Sequence, residues 1–161
     1  VTAGTGLSGG GTAGAVTLSI DSTVATLTGS QTLTNKTLTS PTINTPIIKS
    51  PEERLTVSAT AATGTVNFDA LTQGILYYTS NATGNWTLNV RGDGSNTLNS
   101  ILTTGDSITI VFLATQGGTA YYANGFTIDG SSVTPKYQGG TAWTAGNASS
   151  IDSYVYTIIK T

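Results

Sequence analysis

The feature that most constrains the fold of this chain is the spread of apolar residues over its first fifty positions. Aliphatic side chains stand singly there between threonine, serine and glycine, and five of them follow at intervals of 6, 5, 5 and 4 residues: Leu27, Leu33, Leu38, Ile43 and Ile47. This spacing fits neither the 3.6-residue period of an amphipathic helix nor the heptad of a coiled coil. Each copy therefore has one narrow apolar stripe, which cannot enclose a core by itself.

The same segment favours extended backbone. Threonine beside leucine suits a pleated surface better than a helix, because its β-branched side chain is restricted there. Pro41, Pro46 and Pro51 recur every five residues and rule out long central strands, because proline lacks a backbone donor. We therefore predict that residues 1–50 form an extended, intertwined β stalk, homotrimeric, with the five aliphatic residues at the oligomer interface.

Composition excludes several classes of partner. Charged residues make up only 9 % of the chain and the net charge is −2, so no basic surface for nucleic acid is predicted. Insertion into a membrane is not expected either, because no apolar run approaches the roughly 20 residues of a spanning helix. The chain begins without a basic start or an apolar segment, so we expect a fragment, a processed form, or export without a signal peptide.

The absence of cysteine and histidine limits the chemistry. A Ser-His-Asp triad, a thiolate nucleophile and the common zinc or iron sites are all excluded, and we predict neither a metal nor a cofactor. Cleavage of polysaccharide would require a pair of carboxylates. Most of the eight acidic residues stand beside glycine or serine at predicted strand ends, where turn formation explains them. We therefore predict that the protein is not an enzyme.

From Leu55 onward the pattern changes to short strands rich in β-branched and aromatic residues: LTVSAT, TVNFDA, ILYYTS, WTLNVR, SITIVFLAT, AYYAN, FTIDG, SVTPKY and YVYTIIK. Asp93-Gly94, Asn124-Gly125 and Asp129-Gly130 are dipeptides that favour tight hairpins. Residues 108–114 are apolar on both alternations, which predicts a central strand buried on both sides. The fold class predicted is all-β, with an antiparallel, jelly-roll-like β-sandwich head over residues 51–161.

Three aromatic residues are the candidates for ligand binding. Tyr121 and Tyr122 are adjacent in a predicted strand, so their rings should point to opposite faces of a sheet. Trp143 stands in the glycine-flanked segment QGGTAWTAGN, where an exposed indole would stack on a sugar. The alternative is that these rings belong to the core, a sheet edge or the trimer interface.

Other motifs have simpler explanations. The triplet Arg91-Gly92-Asp93 follows a predicted strand and indicates a hairpin turn rather than an adhesion motif. Residues 93–96, DGSN, lack the remaining carboxylates of a calcium loop. The four N-x-[ST] triplets, at Asn35, Asn81, Asn85 and Asn147, follow from the abundance of asparagine, serine and threonine.

Several longer phrases resemble a known group of proteins. VTAGTGLSGGGTAGAVTLSID followed by QTLTNKTLTSPTI is similar to a segment that recurs in tail-fibre and fibre-like virion proteins of bacteriophages, particularly marine and cyanobacterial ones. ILYYTSNATGNWTLNVRGDG, DSITIVFLATQGGTAYY and VTPKYQGGTAWTAGNASSIDSYVYTIIKT resemble a carboxy-terminal module of such proteins. Similar modules often continue further, so the resemblance implies that Thr161 is not the natural end.

The resemblance implies a homotrimeric fibre on the exterior of a virion, on the tail, neck or capsid. Its expected partners are its own copies, other virion proteins and a glycan of the host surface. The alternative is a purely structural capsid or neck fibre, or a decoration protein. The phrases are structural rather than catalytic, and they leave the location on the particle open.

Overall fold

The computed structural model describes residues 1–21, 24–26, 30–39, 41–53 and 55–161. In these residues the only helical elements are a four-residue helix, Leu98–Ile101, and one 3₁₀ turn, Gln138–Gly140. The prediction of an all-β chain is confirmed. The chain divides into two compact units, Val1–Ile48 and Lys49–Thr161.

The amino-terminal unit contains one antiparallel hairpin, formed by β1 (Leu7–Gly9) and β2 (Leu18–Ile20). The amino group of Val1 donates a hydrogen bond of 2.7 Å to the carbonyl oxygen of Gly11, which ties the first residues to the hairpin. All six residues of the two strands are exposed. In its described residues this unit has no further strand, and so it forms almost no core in a single copy.

The carboxy-terminal unit contains two four-stranded sheets. Sheet 1 has the strand order β10-β7-β5-β3 and sheet 2 has the order β4-β6-β8-β9. The elements are β3 (Leu55–Ala61), β4 (Gly64–Asp69), β5 (Ile75–Ser80), β6 (Trp86–Arg91), α1 (Leu98–Ile101), β7 (Ser107–Thr115), β8 (Ala123–Ile128), β9 (Ser131–Ser132), the 3₁₀ turn Gln138–Gly140 and β10 (Ile151–Ile159).

The pairing within these sheets is mostly parallel. Strands β3, β5 and β7 are parallel in sheet 1, and β4, β6 and β8 are parallel in sheet 2. Only β9 and β10 pair antiparallel, with β8 and β7 respectively. The predicted antiparallel, jelly-roll-like topology is therefore wrong.

The strands are parallel because the short connections lead from one sheet to the other. From β3 to β8, successive strands alternate between the two sheets, so a strand of the opposite sheet forms the crossover that parallel neighbours require. Between β3 and β4 only Ala62 and Thr63 intervene, and Ala62 is 1 % exposed. The chain thus passes from sheet 1 into sheet 2 after β3. A hairpin, by contrast, would have placed β4 beside β3 in sheet 1.

One hydrophobic core lies between the inner faces of the two sheets. Rings from opposite sheets contact edge to face, with centroid separations of 5.9 Å for Trp86 and Phe112 and 5.5 Å for Trp86 and Tyr154. Strand β7 lies between β10 and β5, which confirms its predicted central position, but the predicted burial on both sides is wrong. Its inner side chains are buried, whereas Val111 and Leu113 on the outer face are only half-buried.

The three glycine dipeptides take different roles. Asp129-Gly130 forms the β8–β9 hairpin with φ values of 51° and 79°, as predicted. The prediction for Asn124-Gly125 is wrong, since both residues lie inside β8 at an irregular register with β6. A Cβ on Gly125 would lie 2.5 Å from Oγ1 of Thr87, so glycine is needed there for close approach. Asp93-Gly94 lies in a turn that leads to α1 rather than in a hairpin.

Candidate functional site

Trp143 is fixed in an aromatic cluster rather than held out on a loop. Its indole Nε1 donates a hydrogen bond of 2.8 Å to the carbonyl oxygen of Ala123 at the start of β8. The ring packs edge to face on Tyr137, Tyr154 and Tyr156, with centroids 4.8, 5.1 and 6.0 Å away. Trp143 therefore joins β8 to β10 at one side of the core, and only part of the indole remains exposed.

A shallow cavity of about 280 Å³ lies beside Trp143. Asp152 lines it and is only 7 % exposed. The carboxylate of Asp152 accepts hydrogen bonds from Nε2 of Gln116 at 3.0 Å, from the backbone of Asn147 at 3.1 Å and from Nδ2 of Asn147 at 2.6 Å. These amide donors occupy both carboxylate oxygens, so Asp152 fixes the loop that carries Trp143.

Burial controls the ionisation of the two tyrosines under Trp143. It raises the pKa of Tyr154 to about 12, an effect that a hydrogen bond with the backbone of Ala123 opposes and the nearby charge of Asp152 reinforces. Burial likewise raises the pKa of Tyr156, and Tyr137 and Tyr154 add to the effect. Both hydroxyls therefore stay neutral near pH 7, where they offer hydrogen bonds and no charge.

Tyr121 and Tyr122 do not lie in a strand, so the strand predicted for AYYAN is wrong before Ala123. The side chain of Gln116 binds the backbone of Tyr121 twice, at 3.0 Å to its nitrogen and 2.8 Å to its oxygen, and replaces a strand partner. The ring of Tyr121 packs against the core. The hydrogen bonds described for Tyr122 run through its backbone, to Asn85 at 3.1 Å and from Trp86 at 3.3 Å, and its ring is half-buried.

The outer face of sheet 2 is polar and internally bonded. Nδ2 of Asn89 donates to Oδ1 of Asn67 at 2.8 Å, and the hydroxyl of Thr127 donates to Oδ1 of Asn89 at 2.8 Å. Nε of Arg91 pairs with Oδ1 of Asp69 at 2.6 Å, and this hydrogen bond raises the pKa of Arg91. The face therefore presents amides, hydroxyls and a paired charge to solvent.

The Arg91-Gly92-Asp93 triplet is part of a structural turn. Oδ1 of Asp93 accepts from the backbone nitrogens of Ser95 and Asn96, both at 2.7 Å. The Ser95 bond is the main cause of a lowered Asp93 pKa. Arg91 is already paired, so neither charge of the triplet is available without a rearrangement.

A second cavity, of about 320 Å³, lies beside this turn and is also lined by Asp129. The carboxylate of Asp129 accepts from the backbone nitrogens of Leu98 and Asn99 at 2.7 and 3.0 Å. It thereby satisfies donors that the start of α1 leaves unpaired. In the described part of the chain, no cluster of three or more acidic residues is placed to hold a metal ion.

Four of the five predicted interface residues of the stalk are described, and all four are exposed. The exposed fractions of Leu33, Leu38 and Ile43 are 53, 57 and 55 %, whereas Ile47 is 89 % exposed. Leu27 lies outside the described residues. The five-residue interval continues at Ile48, which is 67 % exposed and which the predicted set omitted. The regular interval itself was the signal that would have selected it.

A left-handed backbone follows the same interval. Asn35, Thr45 and Ser50 have φ values of 54°, 48° and 49°. Each of these residues stands two positions after an aliphatic residue of the repeat, namely Leu33, Ile43 and Ile48. Positive φ is unusual for a β-branched residue such as threonine. The segment therefore repeats a structural unit of five residues, each with one aliphatic side chain and a bend.

Comparison with known proteins adds no relative. No protein-family model matches the chain, no curated protein matches it, and no solved structure matches its fold. None of the helices in the described ranges is long and apolar enough to cross a membrane.

Proposed function

We propose that this chain is a fibre protein of a bacteriophage virion, that it assembles as a homotrimer, and that it presents a β-sandwich head for attachment to glycan on the host surface. In this proposal the protein lies on the exterior of the particle and has no catalytic activity. The observation that carries the proposal is the five-residue repeat of exposed aliphatic side chains in residues 33–48.

The repeat supports assembly because a single copy gains little free energy of folding from aliphatic side chains that stay exposed. Burial of one leucine or isoleucine contributes roughly 1.5–3 kcal/mol, and in one chain Leu33, Leu38, Ile43 and Ile48 stay more than half exposed. Copies wound about a common axis would shield all four at successive levels. Charge does not oppose this arrangement, since only Asp21, Lys36 and Lys49 are charged in the first fifty residues.

The left-handed residues support the same conclusion. Such a conformation costs roughly 1–2 kcal/mol for a residue other than glycine. It persists where surrounding contacts hold it in place. Neighbouring copies would supply those contacts around Thr45 and Ser50.

The glycan part of the proposal rests on shallow, repeated contact. The two cavities beside Trp143 and the Asp93 turn are small and open, and the charged groups in them are already ion-paired or hydrogen-bonded. Three heads on one stalk would raise avidity without a strong single site. Tyr122 is the best-placed of the three aromatic candidates, because the bonds described for it leave its ring unengaged.

Adsorption to host cells tests this function. Fluorescently labelled protein is mixed with a panel of marine and cyanobacterial cells, with and without periodate oxidation of surface glycan. We expect binding that periodate abolishes and that Tyr122→Ala weakens at least tenfold, while Tyr122→Phe, which keeps the ring, binds as the wild type. Binding that survives periodate would contradict attachment to glycan.

A purely structural virion role is the second candidate, and the position of Trp143 favours it. Its indole nitrogen is bonded and three rings surround it, so little of it remains for a sugar. Electron microscopy of labelled particles separates the two roles. A tail tip would support host attachment, and a capsid vertex or neck would support decoration.

A further inference from the structure

The outer face of sheet 1 carries apolar side chains in two rows. Strand pairing aligns Leu55, Ile75, Val111 and Val155 across all four strands. Side chains on one face of a strand alternate with those on the other, and the inner neighbours of these residues, such as Leu76 and Phe112, are buried in the core. The row therefore points away from the core.

A second row lies one step along the strands. The same pairing aligns Val57, Tyr77, Leu113 and Ser153. Much of this apolar surface is open, since Val57 and Val155 are 60 and 57 % exposed. Ile151 and Ile159, at the two ends of β10, are 54 and 62 % exposed. We refer to the outward side chains of β3, β5, β7 and β10 as the apolar face.

The other outer face of the same unit is entirely different. On sheet 2 the outward positions carry the Asn67–Asn89–Thr127 hydrogen bonds and the Arg91–Asp69 pair. The polar outer face of sheet 2 is suited to contact with solvent. The valine, leucine and isoleucine side chains on the outer face of sheet 1 are not.

The size of the apolar face fits a protein contact. Four strands about 4.8 Å apart, with about 3.3 Å per residue, give a face roughly 15–20 Å by 20–30 Å. That area, roughly 300–600 Å², matches the largest apolar patch of a typical monomer, which is often functional. It is also a large part of the roughly 800 Å² that each partner contributes to a standard interface.

We propose that the apolar face is the surface through which copies of this chain associate in the carboxy-terminal unit. None of the outward residues on these four strands is charged, so identical faces meet without repulsion between like charges. A different partner would more commonly be selected by complementary charge. A second copy of the chain matches this face in both apolarity and neutrality.

Along β7, hydroxyl groups stand on both sides of the apolar centre formed by Val111 and Leu113. The hydroxyls of Thr109 and Thr157 are 3.1 Å apart at one end, and Thr115 donates to the hydroxyl of Tyr77 at 3.3 Å at the other. An apolar centre with a polar rim is the usual arrangement of protein interfaces. This inference rests on the proposed homo-oligomer and extends it, because it places a contact between copies outside the stalk.

The absence of cysteine makes single-thiol labelling a direct test. Val155→Cys places a thiol on the apolar face, and Thr65→Cys places one on the exposed outer face of sheet 2. The two are matched, since both replace β-branched residues of edge strands. We expect a maleimide to label Val155→Cys at least tenfold more slowly than Thr65→Cys in the native protein, and equally fast in urea. Equal native rates would overturn the proposal.

The oligomer mass separates this proposal from assembly through the stalk. We expect Val155→Asp to lower the mass measured by light scattering, while Thr65→Asp leaves it unchanged. Loss of the oligomer with Leu38→Asp but not with Val155→Asp would overturn the apolar-face contact and leave the stalk intact. A monomeric wild type with a protected Val155→Cys thiol would also overturn it, since residues of the same chain would then cover the face. If Val155→Asp does not fold, Val155→Thr, which keeps the shape, should weaken association at least threefold in dilution series, and unchanged association would count against the proposal.

Discussion

Replacement of Tyr154 by phenylalanine should change how the stability of the protein depends on alkaline pH. Tyr154 is 5 % exposed, and its ring packs on Trp86 and Trp143 at 5.5 and 5.1 Å. Phenylalanine keeps these ring contacts and removes only the hydroxyl. The variant therefore isolates the ionisation of one buried group.

The expected magnitude follows from the pKa difference between folded and unfolded chains. Burial raises the pKa of Tyr154 from 10.0 to about 12 in the folded protein. The unfolded chain therefore loses this proton first as the pH rises. The contribution of the neutral Tyr154 hydroxyl to the free energy of unfolding is fully present below pH 10. It is lost between pH 10 and about 12, at about 1.4 kcal/mol per pH unit and about 3 kcal/mol in total. Tyr156, whose pKa is also raised by burial, acts in the same direction.

Guanidinium unfolding followed by tryptophan fluorescence between pH 8.5 and 11.5, at one protein concentration, measures this effect. We expect the free energy of unfolding of Tyr154→Phe to fall less steeply than that of the wild type above pH 10, by about 1.4 kcal/mol per pH unit. Phe112→Leu is the control, because it weakens the same core without removing a hydroxyl and should lower the curve equally at every pH. Parallel curves for Tyr154→Phe and the wild type would refute the argument.

Three further changes test the packing. Leu38→Asp should dissociate the oligomer in sedimentation velocity while Thr37→Asp does not, since only the former removes an aliphatic member of the repeat; an unchanged oligomer would contradict the stalk. Gly125→Ala should lower the free energy of unfolding by about 1–3 kcal/mol, because its Cβ would lie 2.5 Å from Oγ1 of Thr87. Adding Thr87→Ala should restore part of that loss, and full additivity of the two changes would argue against the clash. Thr45→Gly should raise the thermal midpoint, since about 1 kcal/mol of left-handed strain is removed; a lower midpoint would show that the threonine side chain makes a contact of greater value.

Local patterns predicted the strands better than the way they pair. Short runs rich in β-branched and aromatic residues located β5, β6 and β7 at their observed bounds, because such residues suit a pleated surface packed against a core. The order of the strands depends on whether a short connection returns to the same sheet or passes to the other. The two residues between β3 and β4 are compatible with either path, so the parallel pairing could not be derived from them.

The same dipeptide chemistry gave opposite results at two places. Asp129-Gly130 forms a hairpin because the chain reverses there within sheet 2, whereas Asn124-Gly125 sits in a strand because Thr87 requires a residue without a side chain beside it. Trp143 shows the same limit for the candidate site. Its glycine-rich surroundings predicted an exposed ring, but contacts from Ala123 of β8 and Tyr154 of β10, which lie outside the segment QGGTAWTAGN, turn it toward the core. Such long-range contacts carry no local signal.

The apolar face shows what the sequence did contain. Residues 108–114 were predicted to form a strand buried on both sides, and the structure buries only the inner side within one chain. The outer apolar residues thus indicated that something covers this face. Periodicity alone does not distinguish cover by a partner from cover by a second layer of the same chain.

Sedimentation equilibrium of the full chain at micromolar concentration shows directly whether copies of this chain assemble through their exposed apolar residues. One chain has a mass of 16.3 kDa. We expect a single species of three times that mass, which Leu38→Asp and Val155→Asp each reduce. A species of 16.3 kDa that persists as the concentration is raised would contradict it.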